Sequence, residues 1–371
     1  MVDRADARVA FLLQRFHPNL APLMRELTAA GAAVTVFAEY SGVAEDHAQV
    51  KPTIVGRRRL PGPFRHSRRV SKNLGLYPTQ TLRSILASDP TVVVIRDFSV
   101  ASLALSLRLR WAGVRVVMYS QIGYGSPSYR LRHAFFMRLF ARDLVTPVRP
   151  RRGLAGPDPN RFGRLGPRWH YAPFVAVPRQ PVTGAPDVSS PFRRPVTILT
   201  VSKLQRRKRV LEWLRLFEQL ERDYPWVRLM LVGPKHEDEY AARTLEAIER
   251  TRGVTYLGTV PHAEMPGVYA QADLFVLPSV QEAAAVSHLE AMAHGLPVIV
   301  SDDNGTAGYV QDGVNGRVFA SGSWESDLER VMREVLDEPD RLREMGDESR
   351  RIVREQHGVD RWLPVLTGGR P

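Results

Sequence analysis

The chain has 371 residues and 44% hydrophobic content, which is enough for two domains of ordinary size, each with its own core. It contains no cysteine, which excludes disulfides, thiolate zinc sites and cysteine nucleophiles. The formal net charge is +13. No apolar run approaches the roughly 18 residues that cross a bilayer, and the start of the sequence lacks a signal-peptide pattern. We therefore expect a cytosolic protein, or one that meets membranes only at their surface.

The first half of the chain alternates between strand-like and helix-like segments. Short apolar runs predict strands, and longer segments with apolar residues at helical spacing predict helices. The predicted strands are Ala7–Leu13, Ala33–Ala38, Thr91–Ile95 and Val114–Tyr119, and the predicted helices are Asn19–Ala30, Thr79–Ala87 and Val100–Trp111. This alternation is typical of a doubly wound parallel sheet.

A second series of the same kind begins at Val196–Val201, after residues 147–195, which are rich in proline, glycine and arginine. Near the end of the sequence, Arg341–Leu366 is expected to be helical. The sequence therefore predicts an α/β protein with two Rossmann-like, doubly wound parallel-sheet domains that face each other across a cleft.

Positive charge is concentrated in the first half of the chain. Between Lys51 and Arg152 there are 20 Lys and Arg but only 3 Asp. The resulting field favours an anionic partner, which could be a nucleic acid, an anionic membrane surface or an acidic glycan acceptor. Nucleic acid is the least favoured, since no helix-turn-helix, zinc or RNA-binding aromatic motif accompanies the arginines.

Residues Tyr129–Arg142 have two interpretations. Leu131, Phe135 and Leu139 recur at helical spacing with arginines between them, as in a helix that lies among membrane headgroups. The same pattern fits an ordinary helix that packs its apolar stripe on a sheet and leaves its arginines in solvent. On the membrane interpretation we expect binding to anionic liposomes and not to neutral ones.

The segment Leu274–Asp302 reads as a strand, a helix and a second strand, and it carries Glu282 and Glu290. In such units ligands sit beyond the carboxyl ends of the strands, which is where Glu282 falls. The backbone N–H groups around Ala284–Val286 would begin the predicted helix Val286–His294 and face an anion such as a phosphate. The arrangement suits a nucleotide sugar.

This segment resembles the signature of the retaining glycosyltransferases of the GT-B fold, often called glycosyltransferase family four. The flanking order is also similar, with Lys203 and Lys208, LMLVG at 229–233, VTYLGTV at 254–260, YAQADLFVLPS at 269–279 and DGVNGRVF at 312–319. The resemblance spans about residues 195–320 and is fainter elsewhere. It implies an acceptor-binding domain over residues 1–180, a nucleotide-sugar-binding domain over 190–355 and a segment 356–371 that returns to the N-terminal domain.

The resemblance also implies roles for individual residues. Lys203 and Lys208 would be catalytic cations that neutralise the leaving nucleoside diphosphate in place of a metal. Glu282 would lie beside the donor sugar as a third catalytic residue, and Glu290 would accept hydrogen bonds from the ribose. Further contacts with the donor would come from Gly233, Tyr256, Leu257, Ala284, Ala285 and Val286.

The implied reaction is the transfer of a sugar, of the hexosyltransferase type, from a UDP- or GDP-sugar to a hydroxyl acceptor with retention of configuration. It would require no metal and no other cofactor. No clear general base or carboxylate nucleophile is identifiable in the sequence. The resemblance implies a front-side route, in which the leaving phosphate takes the acceptor's proton. The expected acceptor is a lipid-linked or anionic glycan in glycolipid, polysaccharide or other glycoconjugate biosynthesis. The expected location is the cytoplasm, with peripheral contact at the inner face of the cell membrane.

Several positions depart from the family pattern. The run Ala283–Ala285 replaces a segment that usually holds two glycines, and Gly308 replaces a common acidic residue. Gln121 stands where many relatives have a histidine that faces the reaction centre. Together with His17 and Asn19, it follows a strand of the N-terminal half and is a candidate to line the acceptor side.

Two other functions remain open. A nucleotide-sugar 2-epimerase would share the fold, but it would need acid and base residues that the sequence does not identify. A catalytically degenerate sugar-nucleotide-binding protein would account for the departures from the family pattern. Release of an epimer without any acceptor would indicate the first function, and binding of UDP- or GDP-sugars without hydrolysis would indicate the second.

Other polar residues near these motifs are interpreted as structural. No metal-ligand spacing stands out in the sequence. Three arginines, Arg206, Arg207 and Arg209, are interpreted as the solvated end of a helix. His288 is interpreted as a packed side chain, and Asp302 and Asp303 are interpreted as part of a turn.

Overall fold

The computed structural model describes residues 7–16, 18–40, 50–56, 76–96, 99–121, 143–148, 168–178 and 195–368. The chain divides into two compact units, one formed by Met1–Val175 with Gly358–Pro371 and the other by Ala176–His357. The segment Tyr129–Arg142, with its two interpretations, lies outside the described residues. So do many of the basic residues between Lys51 and Arg152, including the arginines at 57–59, 65–69 and 149–152.

The first unit contains a parallel sheet whose described strands have the order β3-β2-β1-β4-β5-β6-β7. Its strands are β1 Arg8–Arg15, β2 Ala33–Tyr40, β3 Thr53–Ile54, β4 Val92–Arg96, β5 Arg115–Tyr119, β6 Asp143–Thr146 and β7 Arg168–Tyr171. The described helices before β6 are α1 Ala21–Ala29, α2 Thr79–Ala87 and α3 Val100–Trp111. The predicted alternation of this half is therefore present, but the sequence analysis missed β3, β6 and β7.

Helix α3 begins where the sequence supplies a capping box. The Ser99 hydroxyl accepts a hydrogen bond from the Ser102 backbone N–H at 3.2 Å, and the Ser102 hydroxyl accepts one from the Ser99 N–H at 2.9 Å. Two N–H groups that the helix itself cannot satisfy are thus paired. The helix lays Leu105 and Leu109 against one face of the sheet, where they join Ile95 in a buried core.

The other face of this sheet ends in polar residues. In the strand register, Leu13 of β1 lies beside Arg96 of β4, and Ile95 lies beside Met118 of β5. Because side chains alternate between faces along a strand, Arg15, Arg96 and Tyr119 point to the same face, opposite the Ile95 core. The carboxyl ends of three neighbouring strands therefore carry a group of polar side chains.

The second unit contains a parallel sheet with the described order β10-β9-β8-β11-β12-β13. Its strands are β8 Val196–Val201, β9 Val227–Val232, β10 Val254–Tyr256, β11 Leu274–Leu277, β12 Val298–Ser301 and β13 Gly316–Phe319. Its described helices are α4 Val210–Asp223, α5 Glu239–Arg250, α6 Met265–Tyr269, α7 Ser287–Ala293, α8 Trp324–Asp337 and α9 Arg341–Gln356. Trp213 and Phe217 of α4 are fully buried against this sheet. Both units therefore confirm the predicted pair of doubly wound parallel-sheet domains.

The segment Arg341–Leu366 is helical over most of its length, as expected, but it is not one continuous helix. Helix α9 stops at Gln356, Gly358 is extended at φ −79° and ψ 162°, and a separate helix α10 Leu363–Thr367 follows a short turn. Because Gly358 leaves the helical conformation, the chain after it returns to the first unit. There the indole N–H of Trp362 donates to the Pro173 carbonyl at 2.7 Å, and its ring packs 5.8 Å from that of Tyr119.

Candidate active site

The chain after β8 brings two cations to the carboxyl end of the sheet. Residues Arg206–Lys208 form a 3-10 turn, and Arg209, at φ +51°, then redirects the chain into α4. The turn is fixed to the neighbouring strand's loop because the Arg207 carbonyl accepts a hydrogen bond from the Val280 N–H at 2.9 Å. The loop after β8 is therefore held against the loop after β11.

Glu282 is positioned by hydrogen bonds between the loops that follow β11 and β12. Its backbone N–H donates to the Asp303 carbonyl at 3.0 Å, and its carbonyl accepts from the Gly305 N–H at 2.8 Å. The preceding residue, Gln281, has φ +52°, and its N–H donates to the Asp303 carboxylate at 2.8 Å. These bonds place the Glu282 side chain toward the turn after β8.

The carboxylate of Glu282 lies between two cations. One of its oxygens, Oε2, accepts from Arg207 Nη1 at 2.7 Å and is also paired with Lys208 Nζ. The side chains of Glu282 and Lys208 are only 9% and 12% exposed, whereas that of Arg207 is 45% exposed. The structure thus forms a shielded three-residue ion cluster at the carboxyl ends of β8 and β11.

The pKa values follow from this shielding. Burial by itself raises the pKa of Glu282, but the charge and hydrogen bond of Lys208, and then those of Arg207, outweigh it and lower the pKa. Burial lowers the pKa of Lys208, an effect that pairing with Glu282 opposes and the charges of Arg207 and Lys203 reinforce. A second anion that binds near Lys208 would therefore contact an ammonium group that burial has already desolvated.

Lys203 is placed differently from Lys208. Its side chain is exposed and forms no ion pair with the described residues, although its charge is close enough to lower the pKa of Lys208. The two lysines therefore share one neighbourhood, but only Lys208 contacts Glu282.

The sequence interpretation of the neighbouring arginines as a solvated helix end is correct only in part. Arg206 and Arg207 are exposed, but each of the three arginines also contacts another side chain. Arg207 binds Glu282, Arg206 lies 5.6 Å from the ring centroid of Tyr240, and Arg209 lies 4.8 Å from that of Trp324. Arg207 is the site residue that the sequence analysis missed. Spacing gave no signal for it, because it follows from the tight turn that lets two adjacent residues reach one carboxylate.

Glu290 lies in the first turn of α7, which the prediction placed one residue longer at each end. Its carboxylate accepts a hydrogen bond from the Tyr269 hydroxyl at 2.9 Å, and the Tyr269 ring stacks on His294 at 4.7 Å. Burial raises the pKa of Glu290, while the charge of His262 and the hydrogen bond from Tyr269 oppose this shift.

At the start of α7, Ala284 and Val286 are partly buried, and the carbonyl of buried Ala285 accepts from the Thr306 hydroxyl at 3.0 Å.

Gly233 has a structural reason to be glycine. Its φ is +141°, and a Cβ on it would overlap the Ser202 carbonyl. The backbone of Ser202 therefore lies so close to position 233 that only glycine fits there, whether or not a ligand binds. Nearby, the Tyr256 hydroxyl donates to the Gly233 carbonyl at 2.7 Å, and the Leu257 side chain is 43% exposed.

The three residues predicted for the acceptor side belong to the first unit. His17 lies outside the described residues. Asn19 is partly buried, and its buried Oδ1 atom has no hydrogen-bond partner in the described part of the chain. Gln121 accepts a hydrogen bond from Arg96 Nη2 at 2.6 Å and donates one to the Tyr119 hydroxyl at 3.0 Å.

Two structural interpretations from the sequence fit the geometry. His288 is fully buried, with its Nε2 atom 3.3 Å from the Thr306 carbonyl and its ring 5.9 Å from that of Tyr309, and burial lowers its pKa to about 4. Asp302 accepts from the Ser321 N–H at 2.9 Å, so it faces away from the Gln281 N–H that Asp303 binds. Across the described ranges, no group of three or more His, Cys, Asp or Glu could hold a metal ion, and no helix is long and apolar enough to cross a membrane.

The geometry can now be compared with known proteins. Residues 186–352 match the family model described as glycosyl transferases group 1. The sequence is 26% identical over 121 residues to alpha-monoglucosyldiacylglycerol synthase from Acholeplasma laidlawii, covering 33% of this chain and 30% of that protein. It is 28% identical over 223 residues to the GDP-mannose-dependent alpha-(1-6)-phosphatidylinositol monomannoside mannosyltransferase of Mycolicibacterium smegmatis, covering 56% of each. The matched parts therefore span less than two thirds of either relative.

Solved structures extend the likeness to the whole fold. The crystal structure of Anabaena Alr3699/HepE in complex with UDP has a TM-score of 0.68 and 16% identity, and the superposition covers 97% of this chain and 98% of that one. These comparisons do not favour the epimerase or the degenerate binder. The chain has the two-domain GT-B fold, and residues 186–352 identify its second unit as similar to the glycosyl transferases of group 1.

Proposed function

We propose that the protein transfers a sugar from a UDP- or GDP-sugar to a hydroxyl acceptor with retention of configuration. The observation that carries this proposal is the shielded carboxylate of Glu282 between Arg207 and Lys208, at the carboxyl ends of two neighbouring parallel strands. All three residues lie within the segment that matches the family model. Ligands of doubly wound sheets bind at this end of the strands.

The cations supply the charge stabilisation that this reaction needs. Cleavage of the bond to the anomeric carbon leaves about two negative charges on the nucleoside diphosphate, and fixed cations in a shielded site stabilise that charge. Lys208 and Arg207 are fixed by Glu282, and exposed Lys203 adds a third positive charge beside Lys208. A pyrophosphate bound here would share Lys208 with Glu282, so the carboxylate would keep the ammonium oriented and no metal is required.

The state of Glu282 favours retention through a front-side route. A carboxylate whose pKa is lowered by two cations is a weak base and a weak nucleophile. In the proposed step, the acceptor oxygen bonds to the anomeric carbon on the face from which the phosphate leaves. The bond from that carbon to the phosphate oxygen breaks, and the acceptor's proton passes to the same phosphate oxygen.

Donor and acceptor are assigned by class. Glu290, held by Tyr269, would bind the donor's ribose hydroxyls. Both curated relatives described above act, by their names, on lipid-linked molecules, and the 20 basic residues between Lys51 and Arg152 provide a positive field for an anionic acceptor. A lipid-linked or anionic glycan acceptor, used in the cytoplasm at the inner face of the membrane, is therefore the proposed class.

The proposal is tested by incubating the protein with UDP- and GDP-sugars, with and without candidate glycan acceptors, in the presence of EDTA. Acceptor-dependent release of nucleoside diphosphate is expected, and NMR of the product should show the anomeric configuration of the donor. An inverted product would contradict the front-side step. An epimerised donor formed without acceptor would show that the protein is an isomerase.

A further inference from the structure

Three strands of the first unit bring two guanidinium groups to one end of the sheet. Arg96 is the last residue of β4, Arg15 is the last residue of β1, and both share a face with Tyr119 at the end of β5. The positive charge of Arg15 is close enough to lower the pKa of Arg96, although burial is the larger cause. An anion bound at Arg96 would therefore lie where two positive charges are close together.

The described partners of Arg96 leave part of its guanidinium unsatisfied. Its Nη2 atom donates to Gln121 Oε1 at 2.6 Å, and its Cζ lies 5.9 Å from the centroid of the Tyr119 ring. Its Nη1 atom is buried and has no hydrogen-bond partner among the residues that the structure describes. Within the described residues, no carboxylate pairs with this guanidinium.

Gln121 fixes Arg96 without neutralising it. The amide oxygen accepts from Arg96, and the amide nitrogen donates to the Tyr119 hydroxyl at 3.0 Å, so the side chain is held at both ends. A neutral amide satisfies one donor of the guanidinium but does not offset the cost of burying its charge. A glutamate at position 121 would have accepted the same hydrogen bond and would also have neutralised the charge of Arg96.

We propose that Arg96, oriented by Gln121, binds a phosphate or carboxylate group of the sugar acceptor. The planar guanidinium offers paired N–H donors that match two oxygens of such a group, and a hydrogen bond to an anion is stronger than one between neutral groups. This assignment rests on the proposed function, because it identifies the bound anion as part of the acceptor. Gln121, which departs from the family pattern, would then be the residue that positions Arg96.

The test uses inorganic phosphate as the probe and the full chain. Phosphate should stabilise the wild-type protein against heat in a saturable way, and Arg96→Gln should raise the half-saturating concentration by about tenfold or more, the loss expected for one charge-assisted hydrogen bond. Arg108→Gln, which removes the same charge from an exposed position on α3, should behave like the wild type. Equal phosphate responses of Arg96→Gln and Arg108→Gln would overturn the proposal.

A second variant covers the case in which Arg96→Gln does not fold. Gln121→Glu gives the guanidinium a carboxylate within the chain, so it should preserve folding and reduce the phosphate response. An unchanged response in Gln121→Glu would also contradict the assignment. Glycerol 3-phosphate and phosphatidylglycerol vesicles then distinguish a soluble acceptor from a lipid headgroup, since only the true source should bind more weakly to Arg96→Gln than to Arg108→Gln.

Failure of the proposed function is distinguishable from failure of this inference. Binding of UDP depends on the Lys208 cluster in the second unit and is measured separately. A protein that binds phosphate through Arg96 but neither binds nor cleaves a nucleotide sugar would refute the proposed function, and Arg96 would remain an anion site whose ligand is not a sugar acceptor. A transferase whose acceptor KM is the same in Arg96→Gln and Arg108→Gln would refute the inference alone.

Discussion

Lys208 and Glu282 form a shielded ion pair although 74 positions separate them in the chain. The contact joins the loop after β8 to the loop after β11, so it depends on the parallel pairing of the two strands. Arg207 binds the same carboxylate oxygen from the more exposed side. The pair therefore connects the stability of the second unit with the chemistry proposed for it.

Removal of Lys208 should affect both activity and stability. Lys208→Gln is expected to lower kcat by about 100-fold or more, because a charge that stabilises the leaving group is lost. It should also lower the free energy of unfolding by about 2 kcal/mol, since Glu282 would remain shielded with only Arg207 as its partner. Steady-state kinetics and urea unfolding measure the two effects.

The double variant separates the two roles of Lys208. Lys208→Gln with Glu282→Gln removes both charges, so it should recover part of the stability and none of the activity. The matched control is Lys235→Gln, an exposed lysine after the neighbouring strand β9, which should change neither. Near-normal turnover of Lys208→Gln would defeat its catalytic assignment.

Glu290 should discriminate ribose from deoxyribose. UDP is expected to bind more tightly than 2′-deoxy-UDP, and Glu290→Gln should reduce that preference by about fivefold or more, because a charged acceptor becomes neutral. Tyr269→Phe removes the hydrogen bond to Glu290 but leaves the carboxylate, so most of the preference should remain. Calorimetric titration of the wild type and both variants with each ligand gives the six affinities, and an unchanged ratio in Glu290→Gln would remove the residue from the ribose site.

Gly233 should tolerate no side chain. Gly233→Ala is expected to lower the free energy of unfolding by about 3 kcal/mol or more, because φ +141° is strained for alanine and the added Cβ meets the Ser202 carbonyl. Gly267→Ala is the control, since this glycine lies in α6 and, apart from its chain neighbours and its own helix backbone, no described atom lies within 4 Å of the added Cβ. That change should stabilise the protein by about 0.5–1 kcal/mol. Similar unfolding curves for the two variants would contradict the close approach.

Buried His288 should make stability depend on pH. Its pKa is lowered from the usual 6.5 to about 4, mainly by burial and also by the nearby charge of His357, so the unfolded chain takes up a proton first as the pH falls. Its contribution is complete above about pH 6.5 and is lost toward pH 4, by on the order of 3 kcal/mol in total. His288→Asn should flatten this slope in urea unfolding between pH 7 and pH 4.5.

Exposed His236 provides the comparison for that experiment. His236→Asn should leave the slope of stability against pH as it is in the wild type. A His288→Asn protein with the wild-type slope would show that other groups, including His357, carry the pH dependence.

Much of the fold could be predicted because its signals are local. Thr79–Ala87, Val100–Trp111 and Val196–Val201 have the predicted bounds, since helical periodicity and β-branched runs are properties of neighbouring residues. Strands β6 and β7, with the sequences DLVT and RWHY, were missed because polar residues interrupt the apolar run that marks the equally short β11 and β12, and β3 was missed because it has only two residues. The break after Gln356 was not predicted, although no apolar residue stands between Val353 and Val359 and Gly358 is a typical helix-end residue.

The candidate site could be predicted only in part. The sequence brought Lys208 and Glu282 together through a family resemblance, not through any local pattern. Arg207, the hydrogen bond from Tyr269 to Glu290 and the pairing of Gln121 with Arg96 depend on residues that meet only after the sheets form. Gly233 was predicted to contact the donor. The structure explains why this residue is a glycine without that contact, because the nearby backbone of Ser202 leaves no room for a Cβ.

The return of the chain after Gly358 affects how the protein is made. Trp362 is fully buried, binds the Pro173 carbonyl and lies beside Tyr119, so the first unit is completed by a residue translated 189 positions after its partner. During synthesis the N-terminal sheet must therefore wait, with that surface uncovered, until the whole second unit has left the ribosome. Nascent chains stalled before Trp362 should be open to proteases and chaperones at this surface, and chains released beyond it should be protected.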